Sequence, residues 1–373
     1  MARNTGKKVR RRGRRRKRGF ATWSIGKKIG AVLGGTLLGV VVIGSVILAS
    51  KMNKLSSVKL DTDKLNISDE VKHEKGYTNV ALFGLDSREN DLGKGNRSDT
   101  IIIASLNNDT KEVKLVSIYR DTLLELDDGS YNKANSAYSF GGPEGAVSLI
   151  NRNLDMNIEK YVTVNFNALV DVIDAVGGLD LELTHDEVVH MNNYCVETSK
   201  VTGKKYKKIE PAVAGTYKLN GVQAVSYARI RYTAGGDYKR TERQRLVLKK
   251  TADKLKQQDL ATLNKIIDKV MPEVSTSFTT KEILSLATGA FDYELGETTG
   301  FPFDLETPEQ IPGYSGSYVI PKGLEENVIK LHQFLYPNKD YTPTATVTDI
   351  SNTLNDMTKV YPNTTESGTS QNE

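Results

Sequence analysis

One stretch of the sequence constrains the fold more than any other. From Ile29 to Ser50 there are 22 consecutive residues without a charged side chain. As a helix they would rise about 33 Å at about 1.5 Å per residue, enough to cross a bilayer core of roughly 30 Å. A cleavable signal peptide has a shorter apolar region, and Ile47-Leu48-Ala49 is a poor cleavage site. We therefore expect an uncleaved transmembrane helix at residues 29–50.

The distribution of charge predicts the orientation of this helix. Residues 1–28 contain 13 Lys or Arg and no acidic residue, whereas the rest of the chain contains 38 basic and 46 acidic residues. Because basic flanks stay in the cytoplasm, we expect a single-pass protein of the cell membrane with a cytoplasmic tail at 1–28 and an extracytoplasmic body. The spacing of Gly30 and Gly34 permits close helix pairing, which leaves dimerisation open.

The basic tail has two possible partners. The run from Arg10 to Arg18 suits nucleic acid, but contact with anionic lipid head groups explains it more simply. The acidic body also argues against a nucleic-acid surface. We therefore expect no nucleic-acid partner.

Beyond residue 50 the sequence divides into three parts. Residues 51–76 are polar and predict a stalk, 77–338 predict a folded domain, and 339–373 have few apolar residues and predict a disordered tail. Within the domain, apolar alternation and helical spacing interleave, which predicts an α/β sheet covered by helices. Strands are predicted at 80–83, 101–104, 113–118, 161–166 and 179–183, and helices at 146–150, 168–176, 221–228, 242–256, 260–270, 281–290 and 324–335.

Arginine is unevenly distributed in the body. Only nine arginines follow residue 28, against 29 lysines, and none lies in residues 246–373. Because guanidinium groups bind phosphate at two points, this distribution indicates a site for a phosphate-bearing ligand. The nine are Arg88, Arg97, Arg120, Arg152, Arg229, Arg231, Arg240, Arg243 and Arg245.

Several of these arginines adjoin predicted element ends. Arg88 follows the first strand, Arg97 precedes the second and Arg120 follows the third. Thr241 and Gln244 form a capping-box pattern, which predicts a helix start among the later arginines. Free N–H groups at a helix start favour anions, so this segment is a second candidate for phosphate binding.

Two aspartates are candidates for a metal site. Asp86 and Asp99 stand beside hydroxyl residues at neighbouring strand ends. Such a carboxylate pair suits Mg²⁺, which keeps phosphate oxygens in its coordination shell. Ion pairs with Arg88 and Arg97 would explain the same aspartates without a metal.

Other motifs give weaker evidence for a functional site. His185 and His190 lack the HExxH spacing of a zinc site. Residues 141–145 predict a turn before a helix rather than a phosphate loop, because no Gly-Lys-Ser/Thr follows. Cys195 is the only cysteine, which excludes an internal disulfide, and its His/Asn/Tyr-rich surroundings predict a loop with an incidental thiol.

Taken in order, the motifs resemble those of the LytR-CpsA-Psr proteins of Gram-positive envelopes. The resemblance covers about residues 75–338. Its segments are Asn79 to Arg88, Arg97 to Thr100, Ser117 to Thr122, Lys133 to Tyr138 with Gly141-Gly142, Val176 to Gly178, Leu219 to Ala224, Tyr227 to Arg231 and Asp237 to Gln244. One departure is Tyr119, where the family usually has proline.

The resemblance implies a fold and an activity. The fold is an α-β-α sandwich with a mixed central sheet and an apolar channel for a polyprenyl chain. The activity is a phosphotransferase that moves an anionic glycopolymer (teichoic acid, capsule or wall polysaccharide) from undecaprenyl-pyrophosphate to peptidoglycan. In this chain Asp86 and Asp99 match the Mg²⁺ (or Mn²⁺) ligands and, with Arg120, the catalytic residues. Residues that match pyrophosphate contacts are Arg88, Arg97, Arg120, Arg229, Arg231, Arg240, Arg243 and Gln244.

Two alternatives remain at this stage. A non-catalytic envelope-binding or regulatory protein would keep the arginines without needing both aspartates. A transcriptional attenuator would act through the cytoplasmic tail. Mg²⁺-dependent turnover separates the first from an enzyme, and deletion of the tail tests the second.

Overall fold

The computed structural model describes residues 56–71, 75–85, 92–279, 281–283, 285 and 292–363. Its strands are β1 (Ser56–Ser57), β2 (Tyr77–Leu85), β3 (Ser98–Asn107), β4 (Glu112–Ile118), β5 (Leu123–Glu125), β6 (Tyr131–Lys133), β7 (Lys160–Asn165), β8 (Leu179–Leu183), β9 (Gly215–Leu219), β10 (Val274–Thr276), β11 (Glu294–Phe301), β12 (Leu305–Glu306) and β13 (Ile320–Pro321). Its helices are α1 (Ala134–Leu154), α2 (Phe166–Ala175), α3 (His185–Thr202), α4 (Gly221–Ala228), α5 (Gly236–Leu255), α6 (Leu260–Val270), α7 (Leu324–Leu335) and α8 (Ala345–Thr358).

The central sheet has seven strands in the order β1-β10-β7-β2-β3-β4-β11. Strand β2 pairs antiparallel with β3 and parallel with β7, and β4 pairs antiparallel with β3 and parallel with β11. The sheet is therefore mixed. Because β3 and β4 are antiparallel neighbours, the first residues of β3 and the chain just after β4 meet at one edge, where the site lies.

Alternate side chains of the strands enter two different apolar layers. Phe83, Ile103 and Val116 join a large core with α1, α7 and α8. Ile102 and Leu115 face the opposite way and contact Leu248 of α5. Helices thus cover both faces of the sheet, and the predicted α/β fold with a mixed central sheet is confirmed.

A second core lies among α2, α3, α4 and the β8–β9 hairpin. Its buried members include Val170, Leu181, Met191 and Val225. Helices α3 and α4 both begin with capping boxes, in which a Thr or Asn side chain accepts from the third helical N–H. This core positions the end of α4, from which two of the candidate arginines follow.

Several predicted elements were wrong in their limits or type. The region around Cys195 is helix α3 rather than a loop. Helix α5 begins at Gly236, not Thr241, because Gly235 (φ 89°) turns the chain into the helix without a side-chain cap. The turn near residue 142 is a kink inside α1, where Gly142 has φ 66°. The predicted helix at 281–290 lies mostly outside the described residues.

The folded domain extends beyond both ends of the predicted range 77–338. Leu60 and Leu65 of the predicted stalk are buried in the large core. Helix α8 lies within the predicted disordered tail, and its Ile350 and Leu354 are 3% and 1% exposed. Few apolar residues are sufficient for folding here because those few are spaced along one face of a helix that packs on α7 and α1.

The predicted basic tail and transmembrane helix at 1–50 lie outside the described residues. Among the helices that the structure does describe, none has the length and hydrophobicity required to span a bilayer.

Candidate functional site

A cavity of about 630 Å³ lies between the sheet and helices α2, α4 and α5. Most of its surface is apolar, with aliphatic side chains contributed by three strands and three helices. The aliphatic residues are Leu82, Ile102, Val162, Val164, Leu169, Val225, Val247 and Leu248. The charged residues of the wall come from the end of the sheet where β3 begins and β4 ends, from the chain after α4 and from α5, so the cavity has an apolar part and a charged part.

Asp99, the second residue of β3, is the centre of the charged part. Arg120 Nη1 donates to Asp99 Oδ1 at 2.6 Å. Arg231 Nη2 and Arg240 Nη2 lie 3.5 and 3.7 Å from Asp99 Oδ2, and Arg240 also donates to the Asp99 main-chain oxygen. Three arginines from distant parts of the chain therefore meet at one carboxylate.

Asp237, in the first turn of α5, is a second carboxylate of this cluster. Its Oδ1 accepts from Arg240 Nη1 at 2.8 Å and lies 3.8 Å from Nε of both Arg120 and Arg231. Our sequence analysis gave Asp237 no individual role. Its position three residues before Arg240 on a helix was the available signal, because side chains at i and i+3 are neighbours.

The charges of this cluster stabilise one another. Burial raises the pKa of the Asp99 carboxyl, but Arg240 and Arg120 outweigh burial and hold that pKa below its ordinary value. Burial lowers the pKa of Arg120 as well, and Asp99 and Asp237 more than reverse this effect. Asp99 is therefore ionised at neutral pH and acts as a fixed anchor for the arginines.

Positive charge is in excess within the described part of the site. Three guanidinium groups share Asp99 and Asp237, and Arg97 adds a fourth to the cavity wall. Asp121 lies 3.6 Å from Arg120 Nε, but it also pairs with Lys133 at 2.8 Å. The described charged end thus has about two uncompensated positive charges and is suited to a dianionic ligand.

Arg229 lies on the cavity wall with a different set of partners. It donates to Glu197 Oε2 at 2.9 Å and to Thr198 Oγ1 at 3.0 Å, both on α3. Its guanidinium carbon lies 4.8 Å from the Phe166 ring centre and 5.6 Å from that of Tyr194. Both rings also line the cavity. Sequence reasoning missed Phe166 and Tyr194, whose isolated positions gave no pattern.

The structure brings most of the predicted site residues together. The cavity wall includes Asp99, Arg97, Arg120, Arg229, Arg231, Arg240 and Gln244. Asp86 and Arg88 lie outside the described residues.

Arg243, another residue predicted to contact phosphate, is not part of this wall. It is 4% exposed, and it donates to Glu187 Oε1 at 2.9 Å, to Thr233 Oγ1 at 2.7 Å and to the Ile230 main-chain oxygen at 3.2 Å. These contacts use its donors to join α5 to α3 and to the segment that carries Arg231.

The described residues fit a metal ion that is shared with a phosphate ligand. Arg120 occupies Asp99 Oδ1, whereas Oδ2 has only the longer contacts with Arg231 and Arg240. Mg²⁺ is commonly held by one or two carboxylates together with phosphate oxygens and water, so Asp99 Oδ2 is a suitable single ligand. No group of three or more His, Cys, Asp or Glu side chains forms a metal site in the part of the chain that is described.

Comparison with known proteins gives a family match. The sequence model of the LytR_cpsA_psr family matches residues 42–295. The Bacillus subtilis protein named polyisoprenyl-teichoic acid–peptidoglycan teichoic acid transferase TagV is 30% identical over 302 residues, which are 75% of this chain and 70% of TagV. Biofilm regulatory protein A of Streptococcus mutans is 33% identical over 221 residues, which are 56% of this chain but only 52% of that protein.

A solved structure supports the fold assignment. It is that of Bacillus subtilis YwtF (TagT) with bound octaprenyl pyrophosphate lipid. The TM-score is 0.53 and the identity 22%, with 74% of this chain and 99% of that chain covered. At 22% identity, this similarity shows that the two proteins share a fold and nothing more.

Proposed function

The chain belongs to the LytR_cpsA_psr family, and from this premise we propose that it transfers an anionic glycopolymer from a polyprenyl pyrophosphate carrier to peptidoglycan. TagV, which is 30% identical to this chain over 302 residues, is named as a polyisoprenyl-teichoic acid–peptidoglycan teichoic acid transferase. The proposed donor is undecaprenyl-pyrophosphate, and the proposed polymer is a teichoic acid or another wall or capsular polysaccharide.

The observation that carries the proposal is the continuity of the cavity. Aliphatic side chains such as Ile102 and Val225 line one part of it, and Arg120 and Arg240 line the other. A polyprenyl pyrophosphate has the same division, with a long apolar chain next to a dianionic head group. The related fold with a bound octaprenyl pyrophosphate lipid supports this assignment of the two parts.

The proposed reaction breaks the phosphoanhydride bond of the pyrophosphate and forms a phosphodiester bond to the sugar. A sugar hydroxyl of peptidoglycan attacks the phosphorus next to the polymer, the bond from that phosphorus to the bridging oxygen breaks, and polyprenyl phosphate leaves while the hydroxyl proton passes to solvent. Negative charge develops on the leaving phosphate. This charge would be stabilised by the guanidinium groups of Arg120, Arg231 and Arg240, which ion pairs already hold in place. Positioning and charge stabilisation of this kind are the main contributions of a protein to phosphoryl transfer.

The carboxylates have a different role in this proposal. A lowered pKa makes Asp99 a weak base, so Asp99 positions arginines and, with Asp86, holds Mg²⁺ or Mn²⁺ when the donor is bound. The metal would neutralise charge on the pyrophosphate oxygens. Arg97 and Gln244 would contact the remaining phosphate oxygens.

The location of the protein is also part of the proposal. A transmembrane helix at 29–50 would hold the domain on the outer side of the cell membrane, beside both the lipid-linked donor and peptidoglycan. The spacing of Gly30 and Gly34 would allow two such helices to pair closely.

The test is reconstitution of the full chain in a lipid nanodisc with a polyprenyl-pyrophosphate-linked glycan, peptidoglycan fragments and Mg²⁺. We expect polymer attached to peptidoglycan, and loss of this product with Arg240→Met. Arg152→Met is the matched control, because Arg152 pairs with Glu125 at 2.9 Å and does not line the cavity. Binding of the donor without transfer would favour a regulatory protein, in keeping with the name of the Streptococcus mutans relative.

A further inference from the structure

Several large apolar side chains on or beside helix α3 are exposed to solvent. They are Val189, Val196, Val213 and Tyr232, which are between 36% and 75% exposed. The described residues include seven exposed large apolar side chains in all, so this one region holds more than half of them. Single exposed apolar residues are ordinary on a protein surface, whereas a group of them indicates an interaction site.

Three of the four residues lie close together along the helix. Val189 and Val196 are seven residues apart on α3, so they lie on one side of it, two turns from each other. Tyr232 belongs to the chain after α4, and its ring centre lies 6.2 Å from that of His190, the residue after Val189. These three residues therefore form one apolar area.

The segment from 203 to 213 runs antiparallel along the side of α3 and adds the fourth residue. Three polar contacts join the two in reverse order, and they are Ser199 with Lys204, Asn192 with Ile209, and His185 with Ala212. Val213 therefore lies beside the start of α3, about one turn before Val189. We call the group of Val189, Val196, Val213 and Tyr232 the α3 apolar face.

The same region of the chain is strongly basic. Residues 189–209 contain five lysines and one acidic residue, although the whole body beyond residue 28 has 38 basic and 46 acidic residues. Lys204 is half-buried and pairs with Asp171. The other four lysines are exposed, and they are Lys200, Lys205, Lys207 and Lys208, of which Lys208 also pairs with Glu210. A positive area on an acidic body suits an anionic surface.

The main chain that carries these lysines is held in place. Asn220 Nδ2 donates to the main-chain oxygen of Lys205 at 3.0 Å, and Gln223 Nε2 donates to that of Lys207 at 2.8 Å. Tyr206, between the two lysines, packs against the second core, so its neighbours point outward. A partner would therefore find these charges already positioned, which lowers the entropic cost of contact.

The α3 apolar face adjoins the cavity. Glu197, the residue after Val196, accepts from Arg229 of the cavity wall at 2.9 Å. Tyr194, two residues before Val196, is itself part of the wall. Any surface that contacts the α3 apolar face therefore lies beside the cavity as well.

We propose that the α3 apolar face and its exposed lysines form a docking surface for a membrane that contains anionic lipid. Apolar side chains enter the head-group boundary of such a membrane, and lysines contact the lipid phosphates. A soluble anionic polymer would use the lysines but would leave the four apolar side chains in water, so the lipid surface is favoured. This inference goes beyond the proposed function and shares with it only the location at a membrane.

The experiment uses the full chain in lipid nanodiscs with a nitroxide label on Val196→Cys. The accessibility of the label to oxygen, which concentrates in the bilayer, and to a water-soluble nickel chelate shows whether the label lies in lipid. We expect it to lie in lipid when the discs contain anionic lipid. Phe140→Cys is the matched control, because Phe140 of α1 is 64% exposed like Val196, and its label should stay in water. The unaltered chain is the blank, since Cys195 is buried.

The lysines are tested in the same discs. Lys205→Gln combined with Lys207→Gln should reduce the ratio of docked to undocked domain about thirtyfold, since each lysine near an anionic surface contributes about 1 kcal/mol. Lys249→Gln combined with Lys250→Gln removes two exposed charges from α5 and should change this ratio by less than twofold. Both double variants should keep the melting temperature of the unaltered protein.

Several outcomes would overturn the docking surface. They are a label at 196 that stays in water in anionic discs, equal docking in discs without anionic lipid, and equal effects of the two lysine pairs. Immobilisation of the label by a soluble anionic glycopolymer, without contact with lipid, would assign the surface to the polymer instead. Transfer activity in the same discs separates this inference from the proposed function. Transfer with the label in water overturns only the docking surface, whereas a label in lipid without transfer overturns only the function.

Discussion

Three guanidinium groups of like charge lie close together around Asp99, and they would repel one another without the two carboxylates between them. Asp99 and Asp237 place these groups before any ligand arrives, so the ligand does not have to order long side chains. Arg120 illustrates the arrangement: it contacts Asp99 at 2.6 Å and lies two residues after β4, which is buried at its end. At the scale of single residues, the site is organised by ion pairs.

Arg120→Lys tests whether this arrangement serves transfer. Lysine keeps the charge but loses the planar two-point contact, so we expect loss of most of the activity. Arg120→Ala should cost about 2–4 kcal/mol of transition-state stabilisation, similar to the loss of one oxyanion donor. The measurements are the rate of transfer and the melting temperature. Normal turnover per folded molecule with a lowered melting temperature would assign Arg120 a structural role only.

Cys195 gives a prediction that depends on pH. Burial raises the pKa of its thiol to about 11, and the nearby Ser226 hydroxyl opposes this only in part. Because the thiolate is the reactive form, iodoacetamide should alkylate the folded protein very slowly at pH 8 and faster as the pH approaches 11. Addition of a denaturant at pH 8 should restore the rate of an ordinary cysteine. Rapid labelling of folded protein would mean that α3 opens readily.

At the scale of helices and strands, the arginines depend on contacts between elements far from the cavity. The Glu187–Arg243 pair joins α3 to α5, and Arg243 also holds the main chain at Ile230, directly before Arg231. The pair is buried, with side-chain exposures of 13% and 4% for Glu187 and Arg243. Arg243 therefore ties α5 to α3 and to the main chain directly before Arg231.

Helix α8 provides a test of the enlarged domain. Leu354 is 1% exposed in the large core, so Leu354→Ala should lower the free energy of unfolding by about 2–5 kcal/mol through lost burial and a cavity. The exposed neighbour Asn352 supplies the control, since Asn352→Ala should change the free energy of unfolding by less than about 0.5 kcal/mol. Denaturant unfolding measures both. Equal small effects would show that α8 is not part of the cooperative unit.

At the scale of the whole molecule, the charge bias predicts the topology. Protease added to intact protoplasts should digest the body beyond residue 50 and spare the basic tail, because the 13 basic residues precede the apolar stretch. Antibodies against the two segments would follow the digestion. Protection of the body would mean that the orientation is inverted.

Periodicity along the chain was sufficient for much of the fold. The predicted limits of α4, α6 and α7 agree with the structure, and the predicted strands 80–83 and 101–104 lie within β2 and β3. Alternation and helical spacing are local properties, so they can be read without knowledge of neighbouring elements. The scarcity of arginine in the sequence also pointed to five residues of the cavity wall, which are Arg97, Arg120, Arg229, Arg231 and Arg240.

The partners of the charged residues could not be read in this way. Arg240 and Asp99 are 141 residues apart in the chain and meet only because α5 lies over the starting edge of β3. The same packing brings Arg243 to Glu187, brings Asp237 into the cluster and buries Arg245. Residue type determines which interactions a side chain is able to make. The packing of distant segments determines which of these interactions form and how strong they are, because both the distances between charges and the local dielectric constant depend on that packing.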